Sequence, residues 1–220
     1  TDGENRASLA ALRSLAKQGH RIIVSGKGKR TISSASRFCA RSYQVPDPLV
    51  DEKAYLKAIL DIALKEDIDL IIPITEVTVM VLLKYREVFP FRMRIAAPDR
   101  GKVGAIYNKY ELIRMAHGLG VPIPETVFVD GLKEYMQKKY LVQRYPVVIK
   151  PFMSKIPSGD GFIPTSIIYA RDEYELDCQV MHNPVLVHPF LIQEKISGEG
   201  TGLFTLFDGQ NHLALFCHKR

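Results

Sequence analysis

Tyr145-Pro-Val-Val-Ile-Lys150-Pro151, and further along Leu191-Ile-Gln-Glu194-Lys-Ile-Ser-Gly198, are the two stretches on which the fold turns. Each is a short apolar run closed by a polar group and then by a residue that ends regular structure, which reads as a buried strand. Period two places Val148 and Lys150 on one face, so the lysine projects over the surface that Val148 lines. That suits a phosphate; taken alone, a lysine guarding a sheet edge fits equally well. Gln193 and Glu194 end the second strand. Beside the backbone of Lys195 and Ile196 they offer the hydrogen-bonding edge an adenine needs, with glycines that allow a close hinge. A polar strand end with a turn is the equal alternative.

Upstream, helical and strand patterns alternate, which predicts an α/β unit with parallel strands. Helices are expected over Ser8 to Lys17, Asp51 to Lys65 and Glu76 to Tyr85; strands over Arg21 to Val24, Leu70 to Pro73 and Arg94 to Ala97. Only five residues precede the first helix. In such a unit a strand normally comes first, so the Thr1-Asp2-Gly3 start reads as the turn after a strand lying upstream. Val103 to Leu119 predicts two helical stretches split near Asn108. Val121-Pro-Ile-Pro124 forbids further helix and leads into an extended Thr126 to Val129. Then follow a helix over 131–140, the Lys150 strand, a loop from Ser154 to Gly161 and a strand from Thr165 to Ala170. A helix from Asp172 to Met181, a strand from Phe190 to Ile196 and a hairpin from Gly202 to Lys219, turning at Asp208-Gly209, complete the chain.

The 220 residues carry a net charge of +6, with 46% hydrophobic and 25% charged residues, an ordinary globular balance that tolerates anionic small molecules. The basic residues form no long stripe and no aromatics interleave with them, so no nucleic-acid partner is expected. No apolar run approaches the length of a membrane span. Cys39, Cys178 and Cys217 lie far apart without metal or disulfide spacing, so a reducing cytoplasm is the expected compartment. Gly26-Lys-Gly-Lys-Arg30 lacks phosphate-loop spacing and no helix follows it directly; it reads as a solvated loop. Lys109 opens a helix, against the dipole, which is unfavourable unless an anion lies nearby. The loop holding Ser154 could fold over phosphates through its backbone amides, or be an ordinary connection.

The order of these elements is more specific than any one of them. Tyr107-Asn108-Lys109, Leu119-Gly-Val-Pro-Ile-Pro124, Pro146-Val-Val-Ile-Lys-Pro151, the glycine-bearing loop and Gln193-Glu-Lys-Ile-Ser-Gly198 together resemble the ATP-grasp superfamily, in its carbamoyl-phosphate-synthase-like and carboxylate–amine ligase branches. The resemblance covers nearly the whole chain. It implies a parallel-sheet domain over 1–98, a helical linker over 99–124, an α+β lid over 125–196 and the first strands of an incomplete catalytic domain over 197–220. It also implies ATP as cofactor, with Lys109 and Lys150 toward the phosphates and Ser154 to Gly161 as a flexible lid loop. Glu194 would accept from the adenine amine, with Gln193, Lys195 and Ile196 forming the same edge. Glu199 would be the nearest group to the ribose, and His218, Lys219 and Arg220 would face the triphosphate. Magnesium ligands would lie beyond residue 220, so this stretch would bind nucleotide and not catalyse. The complete protein would be an ATP-dependent ligase that activates a small carboxylic acid as an acylphosphate for attack by an amine. The alternative is a nucleotide-binding module with a regulatory or structural role. Substrate identity is not legible, and a homodimer stays open.

Overall fold

The structure, a computed structural model, describes residues 1–219. Most helices begin immediately after a residue whose side chain accepts a hydrogen bond from the first turn, which satisfies an otherwise free N–H and fixes the start. Asn5 caps α1 (Arg6–Lys17), Asp51 caps α2 (Glu52–Lys65), and Thr75 with Thr78 forms a reciprocal capping box on α3 (Glu76–Lys84). Asp99 caps α4 (Arg100–Tyr107) and Asn108 caps α5 (Lys109–Gly118), so the predicted split at Asn108 is the cap of the second helix.

The N-terminal unit contains two parallel strand pairs: β1 (Ile23–Gly26) with β2 (Arg41–Gln44), and β3 (Leu70–Ile71) with β4 (Arg94–Ile95). Tyr55, Ile59 and Ala63, spaced one helical turn apart on α2, pack with Ile71, Val81, Leu82 and Met93 into one core. The two pairs do not hydrogen-bond to each other. An apolar slot of about 130 Å³ lies between β1 and β3, bordered by Leu12, Val24, Ile59 and Ile71. At one end of it the Thr1 amino group donates to the Ile72 carbonyl at 3.0 Å and the Gly3 N–H to that of Ser25 at 2.9 Å.

A four-stranded antiparallel sheet follows, in the order β5 (Thr126–Asp130), β10 (Pro189–Glu194), β6 (Val147–Pro151), β9 (Ile168–Ala170). Val147, Ile149, Phe190 and Ile192 face α6 (Gly131–Lys138) and α7 (Glu173–His182) and meet Tyr135, Leu176 and Val180 in a second core. The residues between them in register, Val148, Lys150, Leu191, Gln193, Phe128 and Tyr169, line the other face. There α5 approaches, its Tyr110 ring meeting Phe128 edge to face with centroids 5.3 Å apart. The last pair, β11 (Thr201–Phe207) with β12 (His212–Lys219), is the expected hairpin, its turn held by Asp208 Oδ1 accepting from Gln210 and Asn211 N–H.

Two expectations need correction. The stretch from Ser154 to Gly161 is not a free loop: β7 (Lys155–Ser158) and β8 (Gly161–Pro164) form a hairpin, turning at Gly159, whose φ of +57° glycine adopts without strain. Its Ser, Pro and Gly content conceals the strands, and only Ile156 and Gly161 in them are buried. β2 was also not expected, because an edge strand of polar residues, Arg41-Ser-Tyr-Gln44, carries no apolar signal. Its register is fixed instead by Glu66, a buried carboxylate that takes Arg41 at 2.7 Å and also Arg21 and Tyr43. Those three donors hold the Glu66 carboxyl down to about 2, Tyr43 contributing most.

Candidate functional site

Lys150 lies on β6, which has β10 on one side and β9 on the other, so it guards no sheet edge. It is half-buried, and burial alone lowers its ammonium pKa from the ordinary lysine value. Lys109 comes to it from the first residue of α5. Its Nζ donates to Ser154 Oγ at 2.7 Å, and its backbone N–H donates to the Phe152 carbonyl at 2.6 Å. Burial is the main cause lowering the Lys109 pKa; Glu76 opposes it and the Lys150 charge adds to it. Glu76, first residue of α3, is pushed upward by burial against the pull of Lys109 and Lys155. At the junction between the N-terminal unit and the second sheet, Lys109 thus feels the charges of both Glu76 and Lys150, and Glu76 those of Lys109 and Lys155.

The remaining expected residues divide by sheet face. Gln193 shares the face of Lys150, is 1% exposed, and donates to Thr126 Oγ1 at 2.8 Å. Glu194 pairs with Val147 in register and so lies on the opposite face; its Oε1 accepts from the Glu125 N–H at 2.9 Å. The two strands thus do not bring the Glu194 carboxylate toward Lys150, because strand alternation sends neighbours to opposite sides. Lys195 donates its backbone N–H to Pro146 and sets its ammonium 5.7 Å from the Tyr169 ring centroid, on the Lys150 face. Ile196 is exposed in the coil beyond β10. Glu199 and Lys219 meet at 2.6 Å, and His218 stacks on Phe204 at 5.0 Å, apart from the lysine cluster. Arg220 lies outside the described residues.

Three contributors were not anticipated: Glu76, Lys155 and Tyr107, whose hydroxyl pKa is raised by burial and by Glu76. Glu76 sits where the chain leaves a strand and opens a helix, the position at which α/β sheets gather ligands, and that was the available signal. Next to the cluster a cleft of about 290 Å³ opens among Glu4, Asp47, Leu49, Tyr55, Thr75 and Lys155. Tyr55, 2% exposed, borders this cleft, and burial raises its hydroxyl pKa. The Gly26 to Arg30 loop holds no phosphate cradle: Lys27 pairs with Asp47 at 2.9 Å, and the Gly28 N–H is taken by Glu4. Among the described residues, no three His, Cys, Asp or Glu side chains converge on a possible metal position, and no helix is long and apolar enough to cross a membrane.

Residues 3–92 match the PylC-like N-terminal domain. An N5-carboxyaminoimidazole ribonucleotide synthetase in complex with ADP superposes with a TM-score of 0.65 at 14% identity, over 96% of this chain and 51% of its own. The L-amino acid ligase from Bacillus licheniformis gives 0.66 at 15% identity, over 96% and 48%. The N5-carboxyaminoimidazole synthetase from Staphylococcus aureus, complexed with ADP, gives 0.63 at 13% identity, over 97% and 51%. The chain spans about half the length of these structures. No curated protein sequence is significantly similar to it. The chain therefore shares the fold of these synthetases and of this ligase over about half of their length.

Proposed function

We propose that this chain is the nucleotide-binding front part of an ATP-dependent carboxylate–amine ligase. The observation that carries the reading is the Lys109–Lys150 pair: two half-buried ammonium groups from different elements, both with lowered pKa, beside an apolar sheet face. Phosphates meet such a pair with two negative partners at once, and the exposed Tyr169 ring on the same face offers a base a stacking partner. Lys155 and Ser154 extend the donor set. The adenine edge would come from the backbone around Lys195 and Ile196, with Glu194 entering through its carbonyl or by leaving Glu125. Glu199, Lys219 and Arg220 are assigned to the ribose and phosphate end as in the family pattern. The working domain limits are 1–98, 99–124, 125–196 and 197–220.

In the complete protein the reaction would transfer the terminal phosphoryl group of ATP to a carboxylate, and an amine would displace phosphate from the acylphosphate. The part of these residues is positioning and charge neutralisation: the lysines lower the energy of charge building on the transferred group. Magnesium, when bound, would supply further neutralisation; three lysines and a lone glutamate do not fit it. The cleft beside Tyr55 is assigned to a reacting small molecule, supported by its volume and the neighbouring Lys155.

The test is calorimetric titration with magnesium-ATP, magnesium-ADP and nicotinamide dinucleotides. The reading requires saturable binding of the adenine nucleotides that is lost in Lys109→Ala and Lys150→Ala. Equal binding in those variants, or preference for the nicotinamide dinucleotide, overturns it.

A further inference from the structure

The β7–β8 hairpin links two parts of the molecule that it does not itself belong to. At its tip, the Glu52 N–H donates to the Asp160 carbonyl at 2.8 Å and the Phe162 N–H to the Leu49 carbonyl at 2.9 Å, while Lys53 pairs with Asp160 at 2.8 Å. The Phe162 ring packs against the core of the N-terminal unit. Gly161 seats there because nothing larger fits: a Cβ would fall within contact distance of the Leu49 carbonyl oxygen and 3.0 Å from that of Val50. At its base, Thr165 closes the hairpin through its N–H to Ser154 O at 3.0 Å and its hydroxyl to Met153 O at 2.7 Å. That base holds Lys109 twice, through Phe152 O and Ser154 Oγ.

Glu52 and Lys109 are each the first residue of a helix, α2 and α5. A first-turn N–H has no partner inside its own helix. Both of these are satisfied by carbonyls at opposite ends of one short, doubly closed hairpin. We propose that β7–β8 is a strap by which the N-terminal unit sets the position of Lys109, so that seating of the hairpin tip on residues 49–53 controls the anion affinity of the lysine cluster. Loosening the tip releases Phe152 and Ser154 from Lys109 and disperses the cations. Filling the cleft walled by Leu49 and Lys155 secures the tip and the cations together. The last step, affinity for nucleotide, rests on the function proposed above; the mechanical link does not.

Amide hydrogen exchange on the whole chain separates the two. In Gly161→Ala, and in Phe162→Ala as a second variant that removes packing without a clash, the Glu52 and Phe162 amides should exchange roughly tenfold faster. The Lys109 amide, remote from the substitution, should accelerate with them, since Phe152 is its acceptor among the described residues and a helix cannot supply another. Magnesium-ATP affinity should fall about three- to tenfold, as for one lost hydrogen bond of ordinary strength. Protection unchanged at Glu52 and Phe162 in both variants overturns the seating. Faster exchange there with Lys109 still protected overturns the link, and an unaltered ATP affinity overturns the control of binding by the strap. If the parent chain binds no nucleotide while the three amides still move together, the function proposed above fails and the strap stands.

Discussion

Replacing Lys150 by Met is the perturbation with the most distinctive outcome, because stability and binding should move in opposite directions. Met keeps the apolar stem against Val148 and Leu191 and removes a half-buried charge that also repels Lys109. Relief of desolvation and of like-charge repulsion should stabilise the ligand-free protein by roughly 0.5–1 kcal/mol. Nucleotide binding loses a charge-assisted contact of about 1.5–3 kcal/mol, a weakening of roughly ten- to 150-fold. At a nucleotide concentration 100 times Kd the parent gains about 2.7 kcal/mol, and a domain of this size moves about 2–4 °C per kcal/mol, so its melting midpoint should rise by roughly 5–11 °C. With Kd weakened about 100-fold the variant should gain only about 0.4 kcal/mol, or roughly 1 °C. Differential scanning fluorimetry with and without a magnesium complex of a non-hydrolysable ATP analogue reads both quantities. A lowered midpoint in the ligand-free variant, together with a nucleotide shift equal to the parent's, would falsify the reasoning.

Other expectations follow from the same structure. Glu66 has its folded pKa depressed to about 2 from an ordinary 4.5, so its stabilising effect is complete above about 4.5 and disappears as pH falls toward 2; acid denaturation curves should show this component, and Glu66→Gln should lack it. Lys109 and Lys150 have lowered folded pKa values, so their contribution makes the free protein more stable as pH rises through those values toward 10.5, while anion binding restores their protons. Calorimetry at alkaline pH in buffers of different ionisation enthalpy should therefore detect net proton uptake with nucleotide, and none in the double Lys→Met variant. Leu176, fully buried in the second core, should lose about 2–5 kcal/mol on truncation to Ala in denaturant unfolding, with no comparable change for the exposed Leu119.

How much of this was legible in the sequence depended on the kind of signal. Helix starts were legible because Asn5, Asp51, Thr75, Asn108 and Asp172 satisfy first-turn amides by local chemistry alone. The β6 and β10 strands were legible as continuous apolar runs, and the pairing of Lys109 with Lys150 through the order of motifs. β2 was not, since its register is enforced by Glu66, far along the chain. The hairpin at 155–164 was misread because its order depends on a surface supplied by residues 49–53, to which no local periodicity points. The separation of Glu194 from Lys150 was in principle legible: in an antiparallel pair, the register of Val148 with Gln193 already sends residue 194 to the other face. Glu76 and Lys155 escaped because a charged residue at a helix start or in a loop acquires meaning only when another element closes on it.

The most direct measurement of the central claim is a crystal structure of the chain soaked with a magnesium complex of a non-hydrolysable ATP analogue. The account predicts phosphate oxygens within hydrogen-bond distance of both Lys109 Nζ and Lys150 Nζ, with the base beside Tyr169 on the Lys150 side of the sheet. Phosphates placed elsewhere, with the two ammonium groups keeping only Ser154 and Glu76 for company, would contradict it.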